Sequence, residues 1–338
     1  MDTLGSCLFT DCLYIAFYQL VVEGIVAANL HQDQLLMPFQ TTIQQAVEVR
    51  GLGLHTAVPG HLRLSPAPPD TGIVFRRTDL DNFPVEAHVR NVARVSYATS
   101  LMKRGVLIST TEHLLAALYS CGVDNCFVDL DAIEVPILDG SAQPFIEMLD
   151  RAGLRTLRRR RRYLRVLKPL EFTDAGRRIG IYPADEFRVQ CFIDFPHPAI
   201  GRQNVDLHVN RETFSHLLAP ARTFGFEKDF AGMRSMGLIR GGSYENALVL
   251  SDQAVVNGPL RFADEFGRHK TLDLIGDLAL VGRPLRALVV AHKAGHALHT
   301  QLVTRLLADA SLWTETMEQL PGRRRPAAAA AAAPAPAD

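Results

Sequence analysis

From Thr41 onward the chain alternates apolar and polar positions in short runs. TTIQQAVEV is followed by the turn GLGLHTAVPG and then by HLRLSP, in which Leu62 and Leu64 alternate with polar residues. A period of two predicts half-buried strands joined as hairpins. The period changes at TTEHLLAALYSCG, where Leu114, Ala117 and Leu118 fall on one helical face and Gly122 is placed to end it. The strand CFVDL, the turn LDGSA and a second helix, PFIEMLDRAG, complete an α+β unit. The same grammar recurs later as the helix HKTLDLIGDLALVG, the strand LRALVVAH, the turn KAGH and the helix ALHTQLVTRLLADA. His113 precedes Gly122 by nine residues and Asp273 precedes Gly282 by nine, so the two polar residues take equivalent places in two helix, Gly, strand units. This periodicity predicts an α+β chain with an internal duplication, in two units spanning 41–157 and 166–320. Polar groups near the two helix starts would then converge at the domain interface, where sites are common.

Between the units, RTLRRRRRYLR contains five consecutive Arg, and residues 158–165 are expected to be a solvated linker, the usual fate of a like-charge run. Residues 1–40 form an extension with an apolar stretch that Asp11, Gln19 and Glu23 interrupt, and no Lys or Arg precedes Arg50. That suits neither a signal peptide nor a spanning helix. Met37 is the expected start, because the strand pattern begins just after it. The Ala/Pro-rich tail, 321–338, is expected to be disordered.

Charge narrows the function classes. The 338 residues carry 36 basic and 36 acidic side chains, a formal net charge of zero. Bulk binding to nucleic acid or an anionic membrane needs a surplus of cations, so neither partner is expected. Five Cys, an odd number, read as reduced thiols in a cytoplasmic protein rather than a disulfide framework. Gly51 and Gly53 lack the third glycine of a dinucleotide loop, since Thr56 stands there, and no P-loop is present. There is no G-x-S-x-G elbow either, so Ser141 reads as a turn or cap residue.

His269, Asp273 and Asp277 recur at i, i+4 and i+8, which aligns them on one helical face. Imidazole and carboxylate one turn apart suit a zinc ion, although such pairs are also commonplace on helix surfaces. Glu112-His113 opens the earlier helix, and a Glu beside a His ligand is where a carboxylate can take a proton from a metal-activated water. Ser109-x-x-Glu112 equally fits a capping box. Spacing alone does not separate these readings. His296 begins the last helix, where a surface or cap role is the commoner fate. The segment after Thr223 combines aromatics with the pair Gly241-Gly242, as either core packing or the lining of a narrow channel.

Taken together, GLGLHT (51–56), PAPPDTGIVFRRTDL (66–80), STTEHLLAAL (109–118), PILDGSAQPF (136–145), IDFPHPAI (193–200), ARTFGF (221–226), DEFGRHKTLDLIGDL (264–278) and KAGHALH (293–299) resemble the zinc-dependent UDP-3-O-acyl-N-acetylglucosamine deacetylases of bacterial lipid A synthesis. The motifs keep their order from about Thr41 to Ala310. The resemblance implies two similar two-layer α/β sandwich domains with the active site between them. It implies one Zn2+ per chain held by His113, His269 and Asp273, with a fourth position open to water. It further implies Glu112 as general base, His296 as catalytic histidine oriented by Asp277, and Thr223 as a hydroxyl that holds the oxyanion. Lys270 is implied as a substrate contact that helps meet the diphosphate. Residues 224–249 would form a hydrophobic passage for the acyl chain, with Phe224, Phe226, Gly242 and Tyr244 as contacts. The expected reaction hydrolyses the N-acetyl group of a UDP-linked acylated amino sugar to acetate and the free amine, in a cytoplasmic monomer without membrane insertion. Whether His296 donates a proton or only stabilises charge stays open at this level. So does a zinc amidohydrolase acting on another acetamido sugar or acyl amide, or a non-catalytic binding protein of the same fold. SYATSLMKRG, between Val95 and Val106, departs from the family's wording and is left unassigned.

Overall fold

Alternating apolar positions build two main sheets, of five and seven strands, and three smaller ones in the computed structural model, which describes residues 38–318. In the first half, five strands run in the spatial order Val47–Leu52, Pro59–Pro66, Cys126–Leu130, Ile73–Arg77, Phe83–Glu86. Neighbours are antiparallel except Ile73–Arg77, which lies parallel to Cys126–Leu130. Leu62 and Leu64 face the core opposite Leu130 and Val128, as their period of two requires. Helices α1 (Glu112–Ser120) and α2 (Gln143–Ala152) belong to this half.

The second half contains a seven-stranded sheet with Leu285–His292 at its centre. That strand pairs antiparallel with Arg177–Pro183 and parallel with both Tyr163–Val166 and Phe187–Phe195. Between these strands and the last helices lies the short α3 (Phe230–Ser235), beside a two-stranded pairing of Phe224–Phe226 with Leu248–Leu250. Helices α4 (Glu265–Leu278) and α5 (His296–Ala308) follow. The expected equivalence of the halves appears at the helix ends. Gly122 after α1 and Gly282 just beyond α4 both adopt positive φ, 74° and 77°, and each leads toward a core strand of its sheet. Both halves lie in one compact unit, Phe39–Met317.

The contact that positions the site is α1 against α4, which meet backbone to backbone. At Gly276 a Cβ atom would stand 2.1 Å from the carbonyl oxygen of Glu112. Only glycine permits this approach, and it sets the start of α1 beside the middle of α4.

The Arg run departs from the linker reading of residues 158–165. Leu154–Arg160 is a strand paired antiparallel with Phe39–Ile43, and Tyr163–Val166 is a strand of the large sheet, so only Arg161 and Arg162 lie between them. Ladder hydrogen bonds satisfy the backbone, and local carboxylates offset the charge. Arg161 is buried, its guanidinium 2.8 Å from Asp124 and 2.9 Å from the Gly122 carbonyl, while Arg159 and Arg162 face Asp70. The first strand starts at Phe39, two residues before the expected edge. The apolar N-terminal stretch, the Met37 start, Cys7, Cys12 and the Ala/Pro tail lie outside the described residues. Cys121, Cys126 and Cys191 are free, buried thiols.

Candidate active site

The first turn of α1 presents Glu112 and His113 to the face of α4 that carries His269, Asp273 and Asp277, and every one of these side chains is buried. His113 Nε2 and His269 Nε2 each lie 3.5 Å from Asp273 Oδ1. All three ligand atoms fall within 4.8 Å of one another. His269 Nδ1–H donates to the Ala221 carbonyl at 3.0 Å, which fixes the tautomer and turns Nε2 toward the cluster. Burial pushes its pKa down to about 3, so the ring is neutral, the form a metal needs. Burial pushes the Asp273 carboxyl up, but Lys270 and His269 outweigh it and hold the group well below its ordinary range. The Lys270 ammonium donates to Asp273 Oδ2 at 2.7 Å.

A second group of polar side chains lies beside the first. Glu112 does not cap its helix: the Ser109 N–H donates to the Ile133 carbonyl, and Glu112 Oε2 accepts the N–H of Thr99 at 3.1 Å. Burial raises the Glu112 carboxyl above its usual value. Asp277 accepts from three donors, Thr99 Oγ1 at 2.5 Å, His296 Nδ1 at 2.7 Å and His299 Nδ1 at 2.8 Å. Burial opposes its charge, yet His296 and His299 hold its pKa at about 2. Burial likewise opposes charge on His296, and Asp277 overrides it, raising the imidazole to about 9. His299 is buried and pushed down by that burial.

These groups meet at a cavity of about 750 Å³. Glu112, His113, His269, Asp273 and His296 line one part of it; Leu54, Phe224, Phe230, Met233, Ile239 and Val249 line the rest. Thr223 also faces the cavity, on a backbone clamped from both sides: its N–H donates to Gly140 and its carbonyl accepts from Leu248, each at 2.8 Å.

A family model described as UDP-3-O-acyl N-acetylglycosamine deacetylase matches residues 40–308. The chain belongs to this family. A relative from Solibacter usitatus named UDP-3-O-acyl-N-acetylglucosamine deacetylase is 53% identical over 289 residues, 85% of this chain and 98% of its own length. Relatives of the same name from Syntrophotalea carbinolica and Myxococcus xanthus are 42% and 43% identical, covering 82% and 85% of this chain and 90% of each relative.

Within this deacetylase fold the residues expected as ligands, base and catalytic histidine converge, as do Thr223, Lys270, Phe224, Gly242 and Tyr244, which all line the cavity. Asp277 stands behind His296 and is not part of the wall. Phe226 departs from its expected place as a passage contact. One residue pair along the strand from Phe224, its ring packs on Phe195, Phe224 and His197 and stays off the cavity wall. Three polar residues carried no signal that sequence reasoning used. Thr99 lies in the unassigned stretch. His299 stands three residues after His296, visible as an i, i+3 pair. Glu134 accepts the His55 N–H at 2.9 Å and the hydroxyls of Thr56 and Thr110 at 2.7 and 2.8 Å, tying the GLGLHT turn to the segment just before α1.

Proposed function

We propose that this deacetylase removes the N-acetyl group of UDP-3-O-acyl-N-acetylglucosamine, giving acetate and the free amine, with one zinc ion per chain. The carrying observation is the buried His113, His269, Asp273 cluster at the wall of a largely apolar cavity, beside Glu112 and His296. The donor set fits the ion. Two ligands about 2.0–2.2 Å from a tetrahedral zinc lie roughly 3.3–3.6 Å apart, and the observed separations of both imidazoles from Asp273 Oδ1 are 3.5 Å. Zinc bound there supplies Lewis acidity toward oxygen.

The protein's own groups account for the proton movements. Glu112, its carboxylate oriented by the Thr99 N–H, takes the proton of the attacking water. The Thr223 hydroxyl donates to the oxyanion as it develops, a contact usually worth about 3–4 kcal/mol. His296 has Nδ1 committed to Asp277, so Nε2–H is the proton it brings to the leaving nitrogen. With its pKa raised to about 9, it holds that proton at neutral pH. Lys270 keeps Asp273 ionised and has donors left for the substrate. Phe224, Phe230, Met233 and Val249 offer apolar area to an acyl chain. We place this activity in the cytoplasm, in a monomer. Among the described residues no helix is long and apolar enough to cross a membrane.

An acetate-release assay on UDP-3-O-acyl-N-acetylglucosamine, with Glu112→Ala beside the wild type, tests the proposal. Loss of turnover with full zinc content is expected. Undiminished turnover would overturn the role of Glu112.

A further inference from the structure

Thr99 lies just ahead of the strand Ser100–Lys103 and is 0% exposed. Each of its polar groups is spent on a different part of the site. Its N–H donates to Glu112 Oε2 on α1 at 3.1 Å. Its carbonyl accepts the N–H and hydroxyl of Thr111, at the start of the same helix, at 3.2 and 3.1 Å. Its hydroxyl lies 2.5 Å from Asp277 Oδ1 on α4 and 3.2 Å from His296 Nδ1 on α5. A hydroxyl has one hydrogen, and the carboxylate is the stronger acceptor, so the proton goes to Asp277. The oxygen lone pair then faces the Nδ1–H of His296, which is shared between Thr99 Oγ1 and Asp277 Oδ2.

We propose that Thr99 is a positioning residue that couples the base to the acid, its amide aiming the Glu112 carboxylate and its hydroxyl fixing the rotation of Asp277 and, through it, of His296. Without that hydroxyl, Asp277 keeps its two imidazole donors on Oδ2 alone, and nothing among the contacts described above restrains Oδ1. His296 then pivots about a single hydrogen bond. Held geometry of this kind matters to rate rather than to binding, since proton transfer needs donor and acceptor within hydrogen-bond reach. Besides Glu112 itself, Asp273 and Asp277 from α4 and His299 on α5 also act on His296, and among the described hydrogen bonds none of these three bonds to both Glu112 and His296 as Thr99 does.

The inference rests on reading Glu112 and His296 as the proton-transfer pair, so Glu112→Ala and His296→Ala are assayed alongside. Thr99→Val keeps the shape and the backbone N–H while removing the hydroxyl. Its kcat is expected to fall roughly 10- to 100-fold, the usual worth of a hydrogen bond to a charged group. KM should stay within about twofold, and bound zinc per chain should be unchanged. Thr99→Ser, which restores the hydroxyl, should return kcat to within about threefold of wild type, on the same hydrogen-bond scale. In metal-free protein the low-field Nδ1–H resonance of His296 should shift and exchange faster with water in the Val variant than in the Ser variant. Thr99→Ala supplies the same comparison if Val does not fold. A Val or Ala variant with wild-type kcat, a Ser variant as slow as Val, or a loss confined to KM or zinc content would each overturn the role of Thr99. Should Glu112→Ala and His296→Ala themselves turn over normally, the reading of the pair has failed instead.

Discussion

Gly276→Ala is the smallest change that tests whether the site depends on the α1–α4 contact. The added Cβ would meet the Glu112 carbonyl oxygen at 2.1 Å, its carbon at 2.7 Å and its Cα at 2.9 Å. Ordinary contact begins near 3.4 Å, and every obstructing atom is backbone, so no side chain can swing aside. The helices must therefore separate by about 1.3 Å or tilt, a packing change that typically costs about 1–3 kcal/mol. Alanine's better helix propensity offsets about 1 kcal/mol of this, so the melting temperature should fall only modestly. Activity should suffer more. Glu112 and His113 ride on α1, whereas His269, Asp273 and Asp277 ride on α4, so the separation falls inside both the ligand cluster and the proton-transfer group. A displacement of about 1 Å is associated with roughly a hundredfold loss of rate. The assay is acetate release under saturating zinc, with zinc affinity measured by chelator competition and stability by thermal melting. An Ala variant that melts normally, binds zinc normally and turns over at the wild-type rate would refute the claim that helix spacing sets the site.

Other outcomes follow from the same geometry. Asp273→Ala should lose zinc affinity, read by metal analysis after dialysis, because both imidazoles and Lys270 converge on that carboxylate. The pH profile should fall at high pH. His296 titrates at about 9 against an ordinary 6.5, so its proton is held through neutrality and lost as pH rises through 9. The stability that this raised pKa contributes is fully present below 6.5 and lost on the same rise. Asp277→Asn removes the carboxylate that opposes burial, so the alkaline limb of kcat should move from near 9 toward or below 6.5. Arg161→Leu should cost about 1–3 kcal/mol in urea unfolding because it leaves the half-buried Asp124 without its ion-pair partner; Arg159→Ala, at an exposed ion pair, should cost less than about 1 kcal/mol.

Where periodicity governed, the fold was legible: the strand with Leu62 and Leu64, α1 with Gly122 at its end, and the i, i+4, i+8 face of α4 all form where the pattern put them. Charge misled at 158–165, because nearby Asp and Glu pair with an Arg run whose backbone is held in strands, although it looks solvated in one dimension. Glu112 was ambiguous for a related reason. A capping box and a buried base share one spacing, and only the destination of the Ser109 N–H separates them. Thr99 could not be found from periodicity, since its partners lie far along the chain, and the i, i+3 spacing of His299 from His296 does not by itself say that both rings turn to Asp277. The meeting of α1 with α4 was invisible too, because a single glycine reads as a helix weakness until its neighbour is seen.

His113, His269 and Asp273 are proposed to hold the zinc on which N-deacetylation depends. The most direct measurement is acetate released from UDP-3-O-acyl-N-acetylglucosamine as metal-free protein is titrated with zinc. Activity should rise from near zero and saturate at one equivalent per chain, and Asp273→Ala should stay flat over the same range. Full turnover by the metal-free protein, or an unchanged titration in Asp273→Ala, would rule out zinc held by these three side chains as the source of activity.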